Sequence, residues 1–396
     1  MTLIKTKNPL WVAVVCALWL AFPALAETGV DAKTIRIGQS AVQSGPLAEN
    51  GLYFTTGVKL YFEQVNAIGG LFGRELELVT LDDAGDTKRT VQNTQKLLDE
   101  EKVFALIGYT GTGPVMAALP LIEKARIPLI GPYTGAEALR APNRWLFHVR
   151  ASYSDELTKL VQQLVTVGNK NIAVVSTDDN FGKADMKSAE EALAKYKLQP
   201  VAQATLDSTK LDAKKAVETI SKAKPGAIIL AMDSPASVAF IKEYLRQFPY
   251  EKPQFFGLSV ISPAYLRKEL DQNSAGITIA QVVPSPWSGK YGVVRAYRDA
   301  LAQTFGVVKK YRESQAKASQ QEPHHAALEG WIAAKVLVAG MQRAGKDLTR
   351  EKLVTSLEGM RDFDTGGYHV EFTSGKHVGS SYVDLSIIRT NGQLAQ

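Results

Sequence analysis

Hydrophobic positions along the chain alternate between the spacing typical of strands and the spacing typical of helices. Residues 103–107 form a short apolar run, a polar loop follows, and apolar positions then recur three and four residues apart up to Ala125. A second apolar run occupies residues 127–130. This pattern predicts two strands joined by a helix, and such strands run parallel. The loops after both strands therefore lie at one edge of the sheet, where open α/β sheets bind ligands.

The same alternation continues along the chain and predicts an α/β fold with two successive series of strands and helices. The other predicted strands are residues 34–40, 75–81, 145–150, 172–175, 201–205, 227–230, 255–256, 277–283, 368–372 and 382–388. Helices are predicted around residues 58–65, from residue 154, and at 87–101, 183–196, 212–223, 235–247, 291–305, 324–344 and 349–358. The polar residues 313–322 are predicted to form a mobile surface loop.

The two strand-end loops carry hydroxyl groups and backbone N–H groups but no carboxylate, histidine or cysteine. They contribute Tyr109, Thr110, Thr112, Tyr133, Thr134 and Gly135. Such groups near a helix start suit the binding of a carboxylate-sized anion without covalent chemistry. Helix capping is an equally good explanation for Thr112 and Thr134, and packing inside the protein is the alternative for Tyr109 and Tyr133.

The first residues have the order of charge, apolar run and small residues that is typical of a secretory signal peptide. Lys5 and Lys7 precede an apolar run at residues 10–22, which is followed by small residues up to Ala26. Cleavage after Ala26 would leave 370 of the 396 residues and no cysteine, because Cys16 is the only one in the chain. We therefore predict a secreted protein without disulfide bonds, with an uncleaved membrane anchor as the alternative.

Composition and motifs argue against nucleic-acid binding, catalysis and metal binding. The net charge of +6 is mild for 396 residues, and no dense run of lysine and arginine is interleaved with aromatic residues. The fragment at residues 111–113 lacks the third glycine of a dinucleotide fingerprint, because Met116 occupies that position. The five histidines lack zinc-binding spacing, and Asp82, Asp83 and Asp86 lack the spacing of a calcium loop. We predict no enzymatic activity, no cofactor and no metal.

Several short motifs occur in an order that points to a known family. They are residues 44–48 (Ser-Gly-Pro-Leu-Ala), 66–74, 82–83, 103–108, 147–155 and 180–182. Together they resemble the periplasmic branched-chain amino-acid binding proteins of ABC importers, over essentially the whole chain after the signal peptide. The resemblance implies two Rossmann-like α/β lobes, a type I periplasmic binding protein or Venus-flytrap fold, which close on a small ligand.

The resemblance also implies how the chain is divided between the lobes. Three crossing segments would join them, near residues 149–151, 283–285 and 383–385. After the signal peptide at residues 1–26, lobe 1 would comprise residues 27–149 and 285–383, and lobe 2 residues 150–284 and 384–396. The helices that follow residue 284 would then complete lobe 1.

In this family, hydroxyls and backbone groups of the first lobe hold the α-carboxylate of the ligand. Matching loop to loop gives Thr112 the hydroxyl position and gives Tyr133 and Gly135 two positions on the second loop. The resemblance also implies that Phe181 covers the ligand from the second lobe. Asn50 is a further candidate ligand-binding residue.

Two departures from the family concern the second lobe. Asp233 stands at the position of a family tyrosine, and Ser259 replaces the glutamate that binds the ligand's ammonium group. Asp233 would then do the work of this glutamate, or it caps the following helix, or the ligand has no α-ammonium group. His325, at a predicted helix start, is a candidate for the rim of the cleft.

We therefore predict a monomeric, non-enzymatic substrate-binding protein of an ABC importer. It would capture a small carboxylate, in our preferred interpretation an amino acid, and deliver it to permease and ATPase subunits at the inner membrane. Two alternatives stay open: the same clamp binds an aromatic or aliphatic acid or amide without an α-ammonium group, or it serves as a ligand sensor.

Overall fold

The computed structural model describes residues 27–251, 253–307, 322–391 and 393–395. The predicted signal peptide, with Cys16, lies outside these residues, and so does the predicted surface loop except for Glu322. Within the described ranges, no helix combines the length and apolar character needed to cross a membrane. The chain forms two separate sheets, each with its own helices, which we call the first and the second lobe.

The first lobe is built on five strands that all run parallel. They are β1 (Thr34–Ala41), β2 (Glu75–Asp82), β3 (Ala105–Ile107), β4 (Leu129–Ile130) and β5 (Leu146–Phe147). Their order in the sheet is β2-β1-β3-β4-β5. Helices α1 (Ala48–Ala67), α2 (Thr87–Asp99) and α3 (Thr112–Ala125) connect them. Because β3 and β4 are buried on both faces, their sequences are continuous apolar runs, as a parallel sheet requires.

The second lobe begins with another series of parallel strands. They are β6 (Ile172–Thr177), β7 (Gln203–Leu206), β8 (Ala227–Ala231), β9 (Gln254–Gly257) and β10 (Thr278–Gln281). After a small hairpin of β11 (Phe363–Asp364) and β12 (His369–Val370), the strands β13 (Asp384–Ile388) and β14 (Leu394–Ala395) complete the sheet. Its order is β14-β13-β10-β9-β8-β6-β7, with β13 antiparallel to both β10 and β14.

Helices after β10 return to the first lobe, as the sequence predicted. The remaining helices are α4 (Tyr153–Thr166), α5 (Asn180–Ala194), α6 (Lys214–Lys222), α7 (Ser234–Gln247), α8 (Pro263–Leu270), α9 (Gly292–Val307), α10 (His325–Ala344) and α11 (Arg350–Glu358).

Two glycines allow α10 to lie against α1. A Cβ at Gly57 would lie 1.8 Å from the carbonyl oxygen of Ala327, and one at Gly330 would lie 2.1 Å from that of Phe54.

Some predicted elements are shorter in the structure, and three were missed. The predicted strand at 145–150 ends at Phe147, because the next residue, His148, donates its N–H to His377 outside the sheet. The strand predicted at 368–372 contains only the two residues of β12. Helix α8 and the strands β11 and β14 were not predicted, since each is too short to show a clear periodicity.

The chain crosses between the lobes three times, after β5, after β10 and before β13, as the predicted fold class requires. Tyr368 links the first two crossings. Its buried hydroxyl oxygen lies 2.6 Å from the carbonyl oxygen of Val149 and 3.2 Å from that of Val282. The ring of Tyr382, beside the third crossing, meets the Tyr368 ring edge-on at 5.7 Å. The Tyr368 side chain therefore contacts the first two crossing segments directly and the third through the ring of Tyr382.

Replacing Tyr368 by Phe should lower the free energy of unfolding by about 1–3 kcal/mol, because the buried Val149 carbonyl loses its donor. Chemical denaturation of the two proteins measures this difference. Tyr250→Phe is the matched control, since Tyr250 is 96% exposed. Equal losses in both variants would show that the Tyr368 hydroxyl does not stabilise the hinge.

Candidate functional site

A cavity of about 310 Å³ lies between the strand-end loops of the two lobes. Its size is at the lower end of the range for small-molecule sites. Three carboxylates line it, those of Glu49, Asp179 and Asp233, together with aromatic rings and hydroxyl groups. No lysine or arginine lines it within the described part of the chain. The cavity is therefore suited to a small ligand that carries a positive group.

The first-lobe wall is the start of α3. The residue before this helix, Gly111, has a φ of 90°, and no side chain caps the helix in the described structure. The first N–H groups of α3 and its positive dipole end are thus available to an anion. Thr110 adds a hydroxyl whose oxygen accepts the N–H of Val42 at 2.7 Å, so its proton can reach another acceptor. This wall suits a carboxylate.

A hydroxyl pair supports the same wall from behind. The Oγ1 atoms of Thr112 and Thr134 lie 2.8 Å apart, and Thr134 is fully buried. The Thr134 oxygen also accepts the N–H of Ala136 at 3.3 Å. Thr134 can therefore donate its proton to Thr112, which leaves the Thr112 proton for a ligand in the cavity.

The second-lobe wall has the opposite character, because aspartates cap its helices. Asp179 follows β6 and accepts the N–H of Gly182 at 2.9 Å, which caps α5. Asp233 follows β8 and accepts the N–H of Ala236 at 3.0 Å, which caps α7. Burial raises the pKa of Asp233, the capping N–H lowers it, and the charge of Asp179 raises it further. A cation placed here would be stabilised by both carboxylates.

Aromatic rings form the sides of the cavity. Tyr133 comes from the first lobe, and Tyr153 and Phe181 come from the second. Phe181 meets the ring of Tyr153 edge-on, with centroids 5.2 Å apart. Phe181 is half-buried and faces the cavity, as the resemblance implied for the residue that covers the ligand.

Directly behind these rings lies a buried cluster of charged residues centred on Arg150. Its Nη2 atom lies 3.1 Å from Oε1 of Glu156, and its Nη1 atom lies 3.5 Å from Oε1 of Glu329. The same Nη2 also donates to the hydroxyl of Ser259. Ser259 in turn donates its N–H to Glu156 at 2.7 Å and its hydroxyl to Glu156 at 2.8 Å.

Glu156 and Glu329 share the single guanidinium of Arg150, and this arrangement affects the pKa values of all three side chains. Burial alone would lower the pKa of Arg150, but the charges of Glu329 and Glu156 outweigh it and raise that pKa. For Glu329, burial raises the pKa to about 7, the attraction of Arg150 opposes this, and the charge of Glu156 adds to it. Glu156 takes the hydrogen bonds of Arg150 and Ser259, which favour its charged form, so Glu329 is the more readily protonated of the two carboxylates.

The structure brings six of the ten predicted ligand-binding residues to the cavity. They are Asn50, Thr110, Thr112, Tyr133, Phe181 and Asp233. Asn50 also spans the cleft, because its Nδ2 donates to the carbonyl oxygen of Val260 at 2.8 Å. Asp233 caps α7, which is one of its predicted roles, and it also lines the cavity.

Four predicted residues are not among those that line the cavity. Tyr109 is fully buried, and its hydroxyl lies 3.1 Å from that of Thr94, so it belongs to the core under α2. Thr134 lies behind Thr112, as described above. The Ser259 hydroxyl bonds Arg150 and Glu156, and the residue does not line the cavity.

Gly135 is the fourth of these residues, and it has a packing role. A Cβ at this position would lie 2.7 Å from Cδ1 of Tyr153, and the Gly135 carbonyl accepts the N–H of Tyr153 at 2.8 Å. The glycine thereby allows the start of α4 to approach the second loop of the first lobe.

The sequence interpretation missed Glu49, Tyr153 and Asp179. Glu49 accepts a hydrogen bond from the hydroxyl of Ser262 in the other lobe, and burial raises the pKa of Glu49. A signal for Asp179 was present, because an aspartate that follows a buried strand and precedes a helix lies at the ligand-binding edge of the sheet. Aspartate is also common as a helix cap at such a position, so the residue type alone did not indicate that Asp179 lines the cavity.

His325, the candidate for the rim, lines a different cavity of about 370 Å³ beside Tyr53 and Trp287. Its neighbour His324 caps α10 through Nδ1 and stacks on Tyr53 at 3.8 Å. Among the residues that the structure describes, no group of three or more His, Cys, Asp or Glu side chains is arranged to hold a metal ion.

Comparisons with known proteins agree on one family. A family model described as periplasmic binding protein matches residues 34–393. A Leu/Ile/Val-binding protein homolog of Brucella suis is 25% identical over 249 residues, which cover 60% of this chain and 60% of the relative. The match thus spans about 60% of the length of this curated relative.

Two solved structures resemble the whole fold. A substrate-binding periplasmic protein from Ralstonia solanacearum has a TM-score of 0.80 and 30% identity, over 91% of this chain and 99% of the other. A possible leucine/isoleucine/valine-binding protein from Rhodopirellula baltica has a TM-score of 0.81 and 27% identity, over 93% and 98%.

The buried glutamate Glu329 predicts a specific pH dependence of stability. Its pKa of about 7 in the folded protein exceeds the ordinary value of 4.5, so between these values the folded state binds more protons than the unfolded state. The free energy of unfolding should therefore fall as pH rises through this window, by up to about 3 kcal/mol from this residue. Glu329→Gln should remove that decrease and be the more stable protein above pH 7.

Denaturation from pH 4.5 to pH 8 measures this dependence, and the exposed Glu63→Gln is the control. The same pH slope in wild type and Glu329→Gln would contradict the assignment of the proton to Glu329.

Proposed function

The chain belongs to the periplasmic binding protein family, and we propose that it binds a small amino acid between its two lobes for delivery to an ABC importer. The opposite polarity of the two cavity walls carries this proposal. An uncapped helix start suits a carboxylate on one side, and Asp233 and Asp179 suit an ammonium group on the other.

The absence of a basic residue from the described lining strengthens the choice of a zwitterion. A ligand with only a carboxylate would add a further negative group to a cavity already lined by Glu49, Asp179 and Asp233, without a cation to balance it. An α-amino acid brings both charges at once and matches both walls. The aromatic sides formed by Tyr133, Tyr153 and Phe181 favour an apolar or aromatic ligand side chain.

The relatives support a transport role of this kind. The similar Brucella protein is named for leucine, isoleucine and valine, which have apolar side chains. We propose that lobe 1 comprises residues 27–149 and 285–383 and lobe 2 residues 150–284 and 384–396. We further propose that residues 1–26 are a signal peptide, that the mature protein is a periplasmic monomer, and that a permease with ATPase subunits receives the ligand.

The mechanism follows from the position of the cavity between the lobes. Asn50 and Glu49 of the first lobe bond Val260 and Ser262 of the second across the cleft. A ligand that contacts both walls stabilises the arrangement in which these bonds form, and its affinity for that arrangement drives closure. No bond of the ligand is made or broken, so the protein acts as a carrier and not as an enzyme.

Replacing Asp233 by Ala tests the proposal, because it removes the charge that the ammonium group would meet. Binding of the amino acid should weaken by about 2–5 kcal/mol, the range for truncating one member of a buried charge pair. Binding of the same acid without its amino group should be unchanged or improve. Titration calorimetry measures both ligands, starting from the L-amino acid that binds most tightly among the standard twenty.

Asp207→Ala is the matched control, since Asp207 also bonds backbone N–H groups in the second lobe but is only partly buried and does not line the cavity. Equal losses for the amino acid and for its deaminated analogue would show that Asp233 acts only as the cap of α7. That outcome would favour the alternative ligand, an acid or amide without an α-ammonium group.

A further inference from the structure

Arg150 does not line the cavity, yet it contacts two of the rings that do. The residue is fully buried, on the first crossing segment between the lobes. Its guanidinium carbon lies 5.0 Å from the ring centroid of Tyr133 and 5.6 Å from that of Tyr153. Tyr133 belongs to the first lobe and Tyr153 to the second, and both line the cavity. The Arg150 guanidinium therefore contacts one cavity-lining ring from each lobe.

The same guanidinium is held in place by polar partners from both lobes. Glu329 of α10 comes from the first lobe, whereas Glu156 of α4 and Ser259 come from the second. A buried guanidinium needs these partners, because an unpaired buried charge is strongly destabilising. The direction of the Arg150 side chain is thus fixed by groups on both sides of the hinge.

The residue after Ser259 extends this connection to the cleft. The carbonyl oxygen of Val260 accepts the Asn50 side chain from the first lobe at 2.8 Å, and Val260 lines the cavity. Arg150 is therefore connected to three residues that line the cavity. It contacts the rings of Tyr133 and Tyr153, and Val260 directly follows its partner Ser259.

We propose that Arg150 is a positioning residue for ligand binding, which holds the Tyr133 and Tyr153 rings in the geometry of the closed cavity. This inference rests on the proposed function, since it concerns affinity for the ligand of that cavity. Arg150 itself does not touch the ligand. Its effect passes through the two rings, which a planar guanidinium next to them can orient and which a lysine ammonium orients less well.

Arg150→Lys is the variant that tests this role, because it keeps the charge for Glu156 and Glu329 but removes the planar guanidinium. We expect the affinity for the tightest-binding L-amino acid to fall roughly tenfold, the scale of one buried cation–π contact. Titration calorimetry gives the affinity, and denaturation gives the stability of the same samples.

Arg350→Lys is the matched control for general damage by an arginine substitution. Arg350 donates to the carbonyl oxygens of Phe104, Ala125 and Val103 at 3.0, 3.0 and 2.8 Å, and it does not line the cavity. This variant should lose stability but keep the wild-type affinity. An equal loss of affinity in both variants would overturn the positioning role and leave only a structural one.

A double-mutant cycle shows whether Arg150 acts through the rings. Tyr133→Leu alone should weaken binding, and adding Arg150→Lys should then weaken it much less than it does in the wild-type background. Fully additive losses would contradict the proposal.

Crystal structures of wild type and Arg150→Lys give a readout that needs no ligand and stays informative if no amino acid binds. We expect the Tyr133 and Tyr153 rings to be displaced or to adopt other rotamers in the variant. Rings in unchanged positions would overturn the inference. Failure of every amino acid to bind wild type would instead count against the proposed function.

Discussion

One buried guanidinium, that of Arg150, joins side chains from the two lobes of this protein. Its partners Glu156 and Glu329 come from different lobes, and all three side chains are shielded from solvent. Burying a charge costs several kcal/mol unless its partners have good geometry, so a shift of the lobes that separated these side chains would be costly. The cavity lies directly in front of this cluster, and its aromatic sides contact the same cation.

The chemistry of the cavity follows from how its helices begin. The start of α3 has glycine at the cap position, whereas α5 and α7 start with the aspartates Asp179 and Asp233. A helix start without a side-chain cap attracts an anion, and a capping carboxylate reverses that preference. Because parallel strands bring these helix starts to facing edges of the two sheets, one cavity has a wall suited to an anion and a wall suited to a cation.

Much of this arrangement could be predicted from the sequence, because it follows from local periodicity and from the geometry of parallel connections. The apolar runs correctly predicted β3 and β4. The loops after these two strands line the cavity through Thr110, Thr112 and Tyr133. Short elements such as α8 carry too few residues for a periodicity, so they were missed.

Other features depended on contacts between residues far apart in the chain. Ser259 bonds Arg150 and Glu156, which are more than 100 residues away, and no local pattern distinguishes such a serine from a ligand-binding one. The hydroxyl of Tyr109 turns to Thr94 only because α2 lies there. Asp179 has the sequence context of an ordinary helix cap. It lines a cavity only because the other lobe faces this edge of the sheet, and that contact is not visible in the local sequence.

The central claim is that this protein carries a small zwitterion between its lobes, and the most direct test is to identify what the protein binds. Mass spectrometry of small molecules released from the purified, denatured protein measures this without any assumption about the ligand. The account predicts an amino acid with an apolar or aromatic side chain, in an amount close to one molecule per protein. A bound acid without an amino group would contradict it.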